Sequence, residues 1–127
     1  MTESKYNLQE RTTEFGKEII RLCKLIRFNP VSSKIIDQLV RSGTSVGANY
    51  MEAINASSKK DFKNKIFICK KEAQETRYWL IMLKESENSI HESADKLLKE
   101  CHELNLIFQK SINTLENNLK LNKLIDH

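Results

Sequence analysis

Apolar residues recur along this chain at intervals of three and four, the repeat of amphipathic helices. Leu8, Phe15, Ile19, Leu22 and Ile26 form a first face, with Asn7 placed to cap it. Asn29-Pro30 interrupts the pattern, because proline steers the residue before it away from α geometry. Ser32 or Ser33 is then placed to cap a second helix. Its face is Ile36, Leu39, Gly43, Val46, Tyr50 and Ala53, at spacings 3, 4, 3, 4, 3. A third helix starts after Ser57-Ser58 and buries Phe62, Ile66, Cys69, Ala73, Thr76, Leu80 and Leu83. A turn over Glu85–Ser89 leads to a fourth, with Ser89 and Glu92 spaced as a capping box. Its seam is Ile90, Ala94, Leu97, Cys101, Leu104, Phe108, Ser111 and Leu115, the heptad rhythm of bundle packing. The pattern predicts one all-α domain over residues 1–127, an antiparallel up-and-down four-helix bundle. Its helices run over about 8–28, 32–56, 59–85 and 90–116.

Arg41–Ala53 is the segment that tests this reading. Its Gly43, Gly47 and neighbouring serines read locally as a loop. The apolar rhythm passes through without a phase slip, which favours one continuous helix. Each interior glycine costs about 1 kcal/mol relative to alanine. Gly16, Gly43 and Gly47 all fall inside expected helices, so they mark close approach of neighbouring helices.

Arg41-Ser42, Ser45-Val46-Gly47-Ala48-Asn49 and Glu52-Ala53 resemble the signature of the four-helix-bundle proteins encoded in intervening sequences of bacterial 23S rRNA genes. Ser58-Lys59-Lys60-Asp61-Phe62 and Glu72-Ala73-Gln74-Glu75-Thr76-Arg77-Tyr78-Trp79-Leu80 resemble the same family in the same order. The resemblance spans residues of about 8 to 115. It implies four antiparallel helices and a ring-like homopentamer. A related fold, the accessory protein of diversity-generating retroelements, is a basic pentamer that binds nucleic acid. The family has no established catalytic residues.

Charge sharpens the picture. The chain has 127 residues, 30% of them charged, with a formal net charge of +4. Lys59 to Lys71 holds six lysines against Asp61 alone. At about 100° per residue, Lys59, Lys63, Lys70, Arg77 and Lys84 lie within about 60° of one another. With Lys60 they form a basic stripe that reads either as a solvated face or as a site for RNA or DNA. A further apolar set on the same helix includes Phe67, Tyr78, Trp79 and Ile81. It is expected to form an oligomer interface, since exposed apolar surface marks protein contacts. Stacking of Phe67 and Tyr78 on bases is the alternative.

Arg41, Ser45, Asn49 and Glu52 are polar residues on a helix with little polar face to spare. With Glu75 they are expected to form a buried hydrogen-bonded network that fixes helix register. Cys23, Cys69 and Cys101 lack the C-x-x-C spacing, and their odd number argues against a disulfide framework. They are expected to be buried thiols.

Enzyme classes fit poorly. Di-iron bundles need inward Glu-x-x-His pairs, yet Asn88, Lys99 and Leu124 precede His91, His102 and His127 by three. No arginine is followed four to six residues later by histidine, as in one family of helical ribonucleases. No glycine loop is suited to a phosphate. No catalytic residue, metal, cofactor or small-molecule substrate is implied. Met1–Asn7 lacks the apolar core of a signal peptide, and no apolar run is long enough for a membrane span. A cytoplasmic location is expected. The function expected is a non-catalytic homo-oligomer that binds RNA, DNA or a nucleoprotein. The rival is an oligomeric protein-interaction scaffold.

Overall fold

A computed structural model describes residues 7–125. The polar segment preceding Asn7 and the final two residues of the tail lie outside the described residues. Four α-helices form an antiparallel bundle, α1 Leu8–Lys24, α2 Pro30–Ile54, α3 Lys59–Ser86 and α4 His91–Ile125. A 3-10 turn, Asn88–Ile90, precedes α4. Each helix packs along its successor, and α1 closes the bundle against α4 through the thinnest of the four seams.

One core links the four helices. Phe15, Ile19, Leu39, Val46, Ile66, Leu80, Leu104 and Phe108 are among its fully buried members. The expected α3 seam is buried except for Phe62, which is half-buried. On α4 the seam holds to Phe108. Beyond it Ile112 is buried, while the expected Ser111 and Leu115 are half-buried.

The segment Arg41–Ala53 is helical throughout. Its glycines sit where α1 crosses α2. A Cβ on Gly43 would come within 2.9 Å of Ile19, and one on Gly47 within 3.2 Å of the Thr12 carbonyl oxygen. These contacts explain why helix-weakening residues occupy the middle of a helix.

Four boundaries depart from expectation. Helix α1 stops at Lys24, and Ile26 falls in the turn that follows. The amides of Leu25 and Ile26 bond back to Leu22 and Cys23, which tightens the last turn. Asn29, rather than Ser32 or Ser33, caps α2, accepting from the Ser32 amide at 2.9 Å. Pro30 is then the first helical residue, where its missing N–H would have had no partner anyway. The Ser89 capping box does not form, because the chain enters α4 through the 3-10 turn with no side-chain cap. Caps at Asn7 and Ser58 are as read from the sequence. Helix α4 runs on to Ile125 instead of stopping near 116. Glu116 pairs with Lys63, and Leu115 and Leu119 line a groove with Lys59, so the extension leans on the start of α3.

The turns at one end are fastened together. Glu87 accepts hydrogen bonds from Asn29 at 2.9 Å and Ser32 at 2.6 Å. Across the thin α1–α4 seam, Arg11 grips Glu100 with two hydrogen bonds of 2.8 Å and reaches Glu103 at 3.2 Å. The bond to Glu100 raises the Arg11 pKa against the opposing effect of burial. Beside this clasp a cavity of about 500 Å³ opens between α1 and α4, floored by Phe15, Leu22 and Leu97.

Candidate nucleic-acid interface

Helix α3 has four differently employed sides. One faces the core. The side toward α2 is polar and paired. Arg41 of α2 contacts Glu72 at 3.4 Å and also bonds Glu75, whose carboxylate accepts the Trp79 indole N–H at 3.1 Å. Lower on the same side, Lys65 pairs with Glu52 at 2.7 Å, which raises the Lys65 pKa. The side toward α4 carries Lys63–Glu116 and Lys84–Asp95 pairs. The outward side is exposed and holds Lys60, Phe67, Lys71 and Tyr78.

The expected polar network is therefore several separate arrangements. Arg41 and Glu75 meet, with Glu72 and Trp79 as partners that sequence reading did not include. Arg41 is itself exposed. Ser45 instead donates to the Arg41 carbonyl at 2.7 Å, and Asn49 to the Ser45 carbonyl at 2.8 Å, both within α2. Glu52 is exposed and pairs with Lys65 alone. A buried network joining all five residues does not exist. The cause is reach: Ser and Asn side chains readily bond the carbonyl one turn back in their own helix.

The basic stripe divides in the same way. Lys63 and Lys84 are committed to carboxylates of α4. Among the described residues no carboxylate pairs with Lys59, Lys60, Lys70 or Arg77, nor with Lys71, which the stripe as read did not contain. Lys71 was legible in the lysine run, but it lies about 100° round the helix from Lys70. Lys59–Ser86 contains eight basic and four acidic residues, so α3 alone accounts for the net charge of the chain. Its Glu72 and Glu75 turn toward Arg41. The unpaired positive charge is left on the outward and α4-facing sides.

The expected oligomer-interface residues do not share one exposed patch. Phe67 and Tyr78 are 41% and 52% exposed. Trp79 packs against the core and Ile81 is half-buried. Both exposed rings are held by neighbours. The Lys63 ammonium lies 5.9 Å from the Phe67 ring centre, and Trp79 meets Tyr78 edge-on at 4.9 Å.

The cysteines are buried and free. Burial pushes the Cys23 thiol up to about 11, and Cys69 and Cys101 up to about 12. Cys69 and Cys101 donate to the carbonyls of Val46 at 3.5 Å and Ala73 at 2.9 Å. Among the described residues no three His, Cys, Asp or Glu side chains gather as metal ligands, and no helix is long and apolar enough to cross a membrane.

Fold and surface together define an antiparallel four-helix bundle with one strongly basic helix. Within that class, the chain belongs to the 23S rRNA-intervening sequence protein family, whose model matches residues 4–119. It is similar to the crystal structure of a protein of unknown function from the S23 ribosomal protein family of Bacteroides thetaiotaomicron. The two are 35% identical, with a TM-score of 0.72 over 82% of this chain and 96% of that one. No curated protein matches the chain.

Proposed function

We infer that this protein is a non-catalytic, self-associating bundle of the cytoplasm. It binds RNA, DNA or a nucleoprotein through the outward and α4-facing sides of α3. The observation that carries this reading is the concentration of unpaired cations on one helix. Lys59, Lys60, Lys70, Lys71 and Arg77 have no carboxylate partner among the described residues, while the acids Glu72 and Glu75 of the same helix face α2. Phosphate contacts through Lys and Arg supply most non-specific nucleic-acid affinity. The family names, one referring to rRNA and one to the ribosome, make structured RNA the first probe.

Self-association is supported by the pentamer that the sequence resemblance implies and by apolar residues exposed away from α3. Ile20 and Met51 line the α1–α2 groove, and Leu25, Phe28 and Val31 are exposed near the α1–α2 turn. This second group also favours the rival reading, a scaffold for another protein. A non-catalytic role is supported by thiols held neutral inside the core.

The test is binding of a labelled structured RNA and a matched DNA duplex at low and moderate salt. Wild type is compared with a Lys70→Glu/Lys71→Glu/Arg77→Glu variant, and assembly mass is measured in parallel. Salt-sensitive binding lost by a variant of unchanged mass supports the proposal. Absence of binding at low salt overturns it in favour of the scaffold.

A further inference from the structure

We propose, resting on the nucleic-acid reading of α3, that its outward face is a platform for single strands on which Phe67 and Tyr78 stack unpaired bases.

The two rings are eleven residues apart, three helical turns, and within about 20° of the same line along α3. Lys71 lies between them on nearly that line. Lys60 lies two turns before Phe67, and Lys70 and Arg77 flank the α4-facing edge. Cations therefore alternate with aromatic rings, the arrangement by which single-strand binders track a backbone and stack its bases. The rings are about 16 Å apart along the axis, on the order of five nucleotides at the ~3.4 Å rise of a stacked strand.

The rings are set in place before any ligand arrives. Glu116 holds Lys63, whose ammonium lies over Phe67. Arg41 holds Glu75, Glu75 holds the Trp79 indole, and Trp79 meets Tyr78 edge-on. Positioned rings lose less side-chain freedom on stacking, which favours binding.

Charge decides the occupant. A second copy presenting this same face would set lysine against lysine, and like charges across an interface are unfavourable. A polyanion neutralises them. A duplex would use the cations and leave the rings idle, because its bases are already stacked. A single strand engages both.

The test uses a labelled oligonucleotide of about twelve nucleotides, within the range of single-strand sites. Affinities are measured for the single strand and for its duplex. The proteins are wild type, Phe67→Ala/Tyr78→Ala, the conservative Phe67→Tyr/Tyr78→Phe, and the Lys70→Glu/Lys71→Glu/Arg77→Glu variant. Helicity and assembly mass are checked for each. The expected result is single-strand affinity that falls from about fivefold to about a hundredfold per ring in the alanine variant. Duplex affinity is unchanged there, and the aromatic swap retains wild-type binding. The charge variant loses both ligands. Equal affinity of the alanine variant and wild type for the single strand, with salt-sensitive binding intact, overturns the stacking platform and leaves phosphate binding standing. No salt-sensitive binding to either probe overturns both readings. An alanine variant whose assembly mass changes while its nucleic-acid affinity does not assigns this face to a second copy, and also overturns the platform.

Discussion

Gly43 and Ile19 are in such close contact that a Cβ added to the glycine would lie 2.9 Å from Ile19 Cγ1. Ile19 is fully buried and branched at Cβ, so it has little freedom to turn aside. Gly43→Ala is expected to destabilise the bundle by about 1–2 kcal/mol, overpacking outweighing the gain in helix propensity. Gly16 provides the contrast, since a Cβ there would meet its nearest neighbour, Thr44 Cα, at 3.6 Å. Gly16→Ala fits and is expected to stabilise by about 0.5–1 kcal/mol. Urea unfolding of the two variants checks the opposite signs.

Arg41 is the only cation among the described residues paired with Glu72, whose side chain is 12% exposed. Arg41→Met leaves that carboxylate without its partner and frees Glu75, at a cost of about 1–2 kcal/mol for this partly exposed pair. Arg41→Met/Glu72→Gln should recover part of the loss. The chain's one tryptophan accepts its position from Glu75, so a shift in Trp79 emission should accompany the single change. Unaltered emission and stability would show that the pair does no structural work.

Asn29 caps α2 and also donates to Glu87. Asn29→Ala should cost about 1–2 kcal/mol. Ser33→Ala, at a position the sequence alone offered as the cap, should change stability by less than about 0.5 kcal/mol. Thermal unfolding of both variants decides where the helix begins.

These contrasts show what the chain's pattern could reveal. The bundle was readable because burial follows the 3-4 rhythm from Leu39 to Val46 and from Ile66 to Leu83, and the glycines did not disturb it. The α2 cap is hard to read because Asn29-Pro30 fits two roles: proline breaks a helix it sits within, yet at the first helical position it begins one, which makes Asn29 the cap. The polar network could not be read at all from spacing. Whether Ser45 and Asn49 reach across to α3 or bond back within α2 depends on side-chain direction, which a linear pattern does not contain. The basic stripe was readable as charge on α3. Its division into paired and unpaired lysines was not, because Glu116 and Asp95 come from distant positions on α4.

The buried thiols set an alkaline limit. Burial raises Cys69 and Cys101 from an ordinary 9.0 to about 12 in the folded protein. Above pH 9 the unfolded chain releases these protons before the folded one, so stability falls as pH rises from about 9 toward 12. Tyr50, raised by burial, and Lys65, raised by Glu52, act in the same direction. The urea midpoint should drop between pH 8 and pH 10.5, and less steeply in Cys69→Ala/Cys101→Ala. A flat profile would contradict the burial of the thiols.

The claim that α3 binds phosphates is tested most directly by the salt slope of RNA affinity. For each of Lys60, Lys70, Lys71 and Arg77, a single change to Gln should reduce the slope of log affinity against log salt by about 0.7 to 0.9. Lys84→Gln, which removes a lysine already paired with Asp95, should change it less. A slope near zero in wild type, or equal slopes in all five variants and wild type, would contradict phosphate binding by this helix.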